Sequence, residues 1–205
     1  MGMKSKTRSV TAAKSLDGLL GQLRGLIQQA RRHTLRAAEI IQVCTCWQVG
    51  HHIVEFEQRG VDRAEYGTKL LYRIADRLTH EFGKGFDASN LRYMRLFYKT
   101  FPNCDALRHE LSWTHYRTLL QVDYPRARKW YMLEAAKENW STRALERQIG
   151  TLYYERLLVS RDRRPLQQEA SRKLSELKVT PRDFVHDPVL LEFLGLPNTG
   201  KLLES

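Results

Sequence analysis

Apolar residues recur at intervals of three and four along most of this 205-residue chain, and that spacing commits it to helices packed on one another. Leu16, Leu19, Leu20, Leu23, Leu26 and Ile27 open the pattern, which resumes after Arg31 and Arg32 through Ala37, Ile40, Ile41, Cys44, Trp47 and Ile53. The spacing predicts one long helix or two in sequence, ending near Gly60. Alternation of period two, the mark of a half-buried strand, is almost absent. The expected fold is therefore all-α, a multi-helix domain with helix–turn–helix units.

The next helix runs from about Ala64 to Phe82, with Leu70, Leu71, Ile74, Ala75 and Leu78 on one face. Gly83 and Gly85 end it, because glycine readily takes the positive φ of a helix C-cap. Asp87 or Ser89 can cap a further helix through Leu91, Met94, Leu96 and Phe97, closed by Pro102. Ser112 can cap a short helix through Leu120, and Arg126 to Asn139 reads as another around Trp130, Tyr131 and Ala135. Ser141 then caps a helix through Leu145, Ile149, Leu152 and Leu157, with Glu146 in its first turn, where the helix dipole favours an acid. Arg161, Arg163, Arg164 and Pro165 open a polar stretch of little periodicity that reaches Pro181, before a short apolar run from Val189 to Leu196. The resulting division is a disordered basic tail over 1–15, a helical domain over 16–160 and a linker or arm over 161–205.

Thirty-four lysines and arginines face 23 acids, a formal net charge of +11 and a pI near 9.8. That exceeds what solubility needs and points to an anionic partner, nucleic acid ahead of a membrane surface. No apolar run can span a bilayer, and Met1 to Ser15 carries Lys4, Lys6, Arg8 and Lys14 with no apolar core of a signal sequence behind them. A soluble, cytoplasmic protein is expected, and three cysteines suit a reducing compartment better than a disulfide framework.

The segment from Tyr66 to Phe101 has the layout of a helix–turn–helix, in which the second helix enters the major groove. That helix offers Ser89, Asn90, Arg92, Tyr93, Arg95 and Lys99, and the turn offers Lys84 for a phosphate. Arginine and asparagine can make paired hydrogen bonds to guanine and adenine. The bland alternative is two helices of an ordinary bundle with a solvated basic face. A second unit from Leu111 to Leu158 adds Ser112, His115, Arg117, Ser141, Arg143 and Arg147 at the starts of two serine-capped helices. Its aromatic residues, Trp113, Tyr116, Trp130, Tyr131, Trp140, Tyr153 and Tyr154, can stack on bases, but at helical spacing such residues are core more often.

Catalytic and metal-binding readings fare worse. Cys44 and Cys46 lie two apart on a helix and so point to different faces, and His51 with Glu55 forms one i,i+4 pair, too few ligands for a metal. Neither a metal nor a cofactor is expected, and no glycine-rich phosphate or dinucleotide motif occurs. Glu176-Leu177-Lys178 spells the E-x-K of PD-(D/E)xK nucleases, but its polar flanks and Pro181 supply no buried strand, so it is rejected as a catalytic site.

Several stretches together resemble the N-terminal region of YhcG-type proteins. They are Trp47-Gln48-Val49-Gly50, Arg63-Ala64-Glu65-Tyr66-Gly67, Phe82-Gly83-Lys84-Gly85-Phe86, Asn90-Leu91, Met94-Arg95, Phe97-Tyr98, Leu111-Ser112-Trp113-Thr114-His115-Tyr116, Trp140-Ser141, and Asp187-Pro188 with Glu192-Phe193-Leu194-Gly195-Leu196. The resemblance implies a helical, winged-helix-like or helix–turn–helix region that binds nucleic acid, DNA ahead of RNA, and precedes a PD-(D/E)xK nuclease domain. The sequence ends at Ser205, about where that domain is expected, so hydrolysis by this chain alone is not expected. The competing expectation is a helical interaction module that forms a homo-oligomer through its N-terminal helices, for which the amphipathic segment Leu16 to Glu57 is suited.

Overall fold

The computed structural model describes residues 16–59, 66–160, 164, 168 and 188–195, without the side chains of 66–68, 84 and 188. The expected basic tail over 1–15, most of the linker and the Glu176–Lys178 motif lie outside the described residues. All regular structure among the described residues is helical, and no strand occurs there to form the wing of a winged helix. The chain divides into two compact units, Met1–Arg36 and Ala37–Ser205. The first apolar pattern forms one continuous helix, α1 (Leu16–Arg59), rather than two.

In the second unit, the part of α1 beyond Ala37 lies along α3 (Ala88–Thr100), and the reason is a glycine. A β-carbon at Gly50 would fall inside van der Waals contact of the Met94 carbonyl oxygen and 3.2 Å from the Tyr98 β-carbon. Only a residue without a side chain permits so close a crossing. Along the same contact the Trp47 indole Nε1 donates to the Phe101 carbonyl at 2.7 Å, and Arg95 Nε meets Glu57 Oε2 at 2.7 Å.

Helix α2 (Tyr66–Phe82) packs on α3 across a tight turn. Gly83 takes φ +91°, a 3-10 turn follows over Lys84–Phe86, and Asp87 caps α3. Behind them lie α4 (Trp113–Leu119), α5 (Pro125–Lys137), α6 (Thr142–Gly150) and α7 (Tyr153–Val159), packed on one another. Phe97, Trp113 and Tyr116 meet at ring separations of 4.8–5.2 Å and join α3 to α4. Trp130, Trp140, Tyr153 and Tyr154 form a second aromatic group that joins α5 to α7.

Two helix ends depart from expectation. The helix capped by Ser141 stops at Gly150, because Thr151 and Leu152 break it and Leu152 adopts the left-handed conformation at φ 51° before α7 begins. Glu146 then falls past the first turn of α6, which carries no acid. Asn139 closes α5 with φ 50°, and the Trp140 N–H reaches back to the Ala135 carbonyl at 3.0 Å, the Schellman pattern. Near the end of the chain, α8 (Pro188–Phe193) packs on the turn over 84–86, and the Gln42 amide donates to the Val189 carbonyl at 3.1 Å. This apolar run is thus part of the second unit, with Leu190 buried.

The two kinds of helical glycine give opposite expectations. Gly50→Ala forces α1 and α3 apart and should cost about 1–3 kcal/mol, whereas Gly25→Ala meets no atom within 4 Å and gains about 0.8–1 kcal/mol of helix propensity. Thermal melts followed by circular dichroism should show a lowered Tm for the first variant and an unchanged or raised one for the second.

Candidate nucleic-acid interface

The cap of α3 sets which side chains face outward. Asp87 Oδ1 accepts from the Ser89 N–H at 2.8 Å and the Asn90 N–H at 3.0 Å, fixing where the helix starts and so its phase. Asn90, Leu91, Met94 and Phe97 then turn inward, while Ser89, Arg92, Leu96 and Lys99 form an exposed row. Tyr93 flanks that row, and the Arg117 guanidinium of α4 sits 4.8 Å above its ring. On α2, Lys69, Arg73 and Arg77 repeat at i, i+4 and i+8, all exposed. Asp76 is exposed on the same face of α2, so that face carries three cations and one acid beside the basic row of α3.

Asp87 has an electrostatic consequence. Its carboxylate occupies the positive end of the α3 dipole and consumes two of the free N–H groups there. A phosphate cannot use the same N–H groups without displacing an acid, so anions must be met by side chains.

Several residues expected at the interface are inside the protein instead. Asn90 is buried, its Nδ2 donating to the Gly85 carbonyl and its Oδ1 accepting from Trp113 Nε1 at 3.1 Å. Ser112 and His115 are also buried. His115 Nε2 lies 3.0 Å from the Trp140 carbonyl, so that nitrogen carries the proton, and Nδ1 accepts from the Ser112 N–H at 3.2 Å and faces its hydroxyl at 2.8 Å. Ser141 Oγ accepts from the Ala144 N–H at 3.2 Å as the α6 cap. Arg95 is held by Glu57 of α1. Asn90, Ser112 and His115 are thus spent on internal partners, while Ser141 is half-buried at its cap and Arg95 keeps about a third of its side chain exposed beside Glu57.

The remaining candidates are accessible. Ser89, Arg92 and Lys99 stand on α3, and Arg143 and Arg147 share the outer face of α6, a helix that packs on α4, α5 and α7. The Lys84 side chain lies outside the described residues. Lys69, Arg73 and Arg77 were not singled out from the sequence, although their four-residue repeat on a predicted helix is visible there. The aromatic residues are core: Trp113, Tyr116, Tyr131, Trp140 and Tyr153 are buried, with Trp130 and Tyr154 half-buried against them.

Other chemistry is sparse. Cys46 is buried, and burial pushes its thiol well above the ordinary range against the opposing pull of Arg117. Cys104 is also raised, first by burial and then by its neighbour Cys44. His51 Nε2 and Glu55 Oε1 stand 3.8 Å apart, and among the described residues no three metal-binding side chains come together. No helix among the described residues is long and apolar enough to cross a membrane.

Comparison with known proteins adds a family. The family described as the DUF1016 N-terminal domain matches residues 22–156. The protein named "Putative nuclease YhcG" from Escherichia coli (strain K12) is 34% identical over 229 aligned residues, covering 95% of this chain and 59% of that protein. The chain therefore spans less than two thirds of this relative's length. No solved structure matches the chain.

Asn90→Ala should act on stability, not on ligand contact. It leaves the buried Trp113 Nε1 and the Gly85 carbonyl without their partner, at a cost of about 1–3 kcal/mol. Chemical denaturation is expected to show that loss, while Arg92→Ala on the exposed row should stay within about 0.5 kcal/mol of the parent.

Proposed function

The chain belongs to the DUF1016 N-terminal domain family, and from that premise we propose that it is a nucleic-acid-binding module, DNA ahead of RNA, that serves a nuclease without cutting. The observation that carries the reading is the exposed row of Ser89, Arg92, Leu96 and Lys99 on α3, backed by the basic face of α2. Lys99 and the α2 cations meet phosphates, while Arg92 near the start of α3 has the fork geometry for a guanine edge. Arg143 and Arg147 on α6 extend the same role. The net charge of +11 supports an anionic partner, and the name of the relative supplies the link to nuclease chemistry.

The internal roles of Asn90, Ser112 and His115, and the ion pair of half-buried Arg95 with Glu57, narrow the proposed surface to the exposed side chains. The expected layout of two packed helices remains, with Ser89, Arg92 and Lys99 in place of the full set. The non-cutting part of the proposal rests on the sequence pattern alone, in which Glu176-Leu177-Lys178 has polar flanks and Pro181 nearby rather than the apolar run of a buried strand.

Fluorescence anisotropy with labelled duplex DNA, single-stranded DNA and RNA, across a salt series, tests the reading. Affinity should fall steeply with salt, and Arg92→Ala/Lys99→Ala should make the logarithmic slope shallower by about two, one for each contact removed. Binding indifferent to salt, or unchanged in the double variant, would overturn it. A plasmid incubated with the chain and Mg²⁺ is expected to stay intact, and cleavage would remove the non-catalytic part of the proposal.

A further inference from the structure

The first unit carries a surface that nucleic-acid binding leaves unused. Leu16, Leu19, Leu20, Leu23, Leu26 and Ile27 of α1 are each between 38% and 71% exposed. Their spacing is that of a heptad, with Leu16 and Leu23 at a, Leu19 and Leu26 at d, and Leu20 and Ile27 at e. All six form one stripe about 100° wide. The other faces of these turns hold Gly18, Gly21, Gln22, Arg24, Gly25, Gln28 and Gln29, polar or without a side chain.

We propose that this stripe is a self-association surface whose occupant is the same stripe of a second copy, running antiparallel. The first support is area. Each leucine or isoleucine offers on the order of 100 Å² of apolar surface, so at these exposures six bring roughly 300–400 Å² per copy. With the stems of Gln22, Arg24 and Gln29, a pair approaches the about 1,000 Å² that a specific interface needs. That places it at the weak, concentration-dependent end of the range.

The second support is charge, which selects the direction. Arg31, Arg32 and Arg36 follow the stripe on the same helix. A parallel pair in register sets the two clusters at the same level on helices whose axes are about 8–10 Å apart, so like charges are closer there than in any antiparallel arrangement. An antiparallel pair centred on Gly21 sets Leu16 against Leu26 of the second copy and Leu19 against its Leu23. The two arginine clusters then lie about 30 Å apart at 1.5 Å per residue, where screening removes the repulsion. The interface is isologous, so it closes at two copies.

The test uses the full chain, nuclease-treated so that bound nucleic acid cannot bridge copies. Sedimentation equilibrium from about 1 to 200 μM, the range of a weak interface, should show a monomer–dimer equilibrium. Leu19→Glu and Leu23→Lys should each be monomeric with unchanged helix content and Tm, since the stripe is solvent-exposed in one copy. Mixing those two variants should restore the dimer, because antiparallel pairing sets the carboxylate introduced in one copy against the ammonium introduced in the other. A monomer throughout the range overturns the proposal, as does association that survives both substitutions. Recovery when Leu19→Glu is mixed with Leu19→Lys, but not with Leu23→Lys, overturns the antiparallel direction. Arg92 and Lys99 lie outside the stripe, so this result and the anisotropy result stand or fall separately.

Discussion

The side-chain amide of Asn90 joins three elements of the second unit at one buried point. It donates to the Gly85 carbonyl in the turn before α3 and accepts from the Trp113 indole at the start of α4. A buried amide is tolerated only when both its ends are matched, and here the matching partners are the turn and the next helix. The turn so fixed is also the platform on which α8 rests, close enough that a β-carbon at Gly85 would stand 3.8 Å from the α8 backbone. Because α3 is also crossed closely by α1 at Gly50, its inner face is fully committed. The row of Ser89, Arg92, Leu96 and Lys99 is its most exposed face.

Acids and bases divide the work of this surface unequally. Asp87 caps α3, Glu57 holds Arg95, Glu55 meets Arg59 at 3.0 Å, and Glu134 and Glu138 flank Lys137. Glu155 lies 3.3 Å from the Tyr131 hydroxyl, whose ionisation burial pushes up to about 12. Many carboxylates are thus tied to helix ends and neighbours, while Arg73, Arg77, Arg92, Lys99, Arg143 and Arg147 point outward. Exposed acids, Asp76 and Glu81 on α2 and Glu146 on α6, stand among these cations, so the attraction for a polyanion rests on the net excess of +11.

The helices were legible in the sequence because their apolar spacing and caps are local properties. Ser141 and the glycine stop at Gly83 have the roles their residue types announce, and Asp87 emerges as the cap of α3 over Ser89. The break at Leu152 was not legible, since leucine carries no preference for the left-handed conformation that it takes there. The division of polar residues into internal and external was also hidden. Asn90 and Arg92 look equally suited to a base edge as residue types, yet a small difference in helix phase separates a buried bridge from an exposed cation. That phase depends on which of Asp87 and Ser89 caps the helix, and on Trp113, which is 23 residues away. The repeat of Lys69, Arg73 and Arg77 needed no long-range information and was available from the spacing.

The exposed row also bounds the kind of recognition available to the proposed module. Near the start of α3 only Ser89 and Arg92 are placed to meet base edges, because Asn90 is turned inward. One paired hydrogen-bond contact discriminates by about 1–3 kcal/mol, which is one to two powers of ten in affinity. Sequence-specific binding stands about 10³–10⁷ above non-specific binding. A single α3 face thus falls short of sequence-specific recognition and suits binding governed by phosphates. A second face, on α6 of the same chain or on α3 of a second copy, multiplies contacts without changing their kind, so affinity grows faster than selectivity. For a module that brings a nuclease to nucleic acid, selection of the cutting site would then rest on the shape of the substrate or on the nuclease itself.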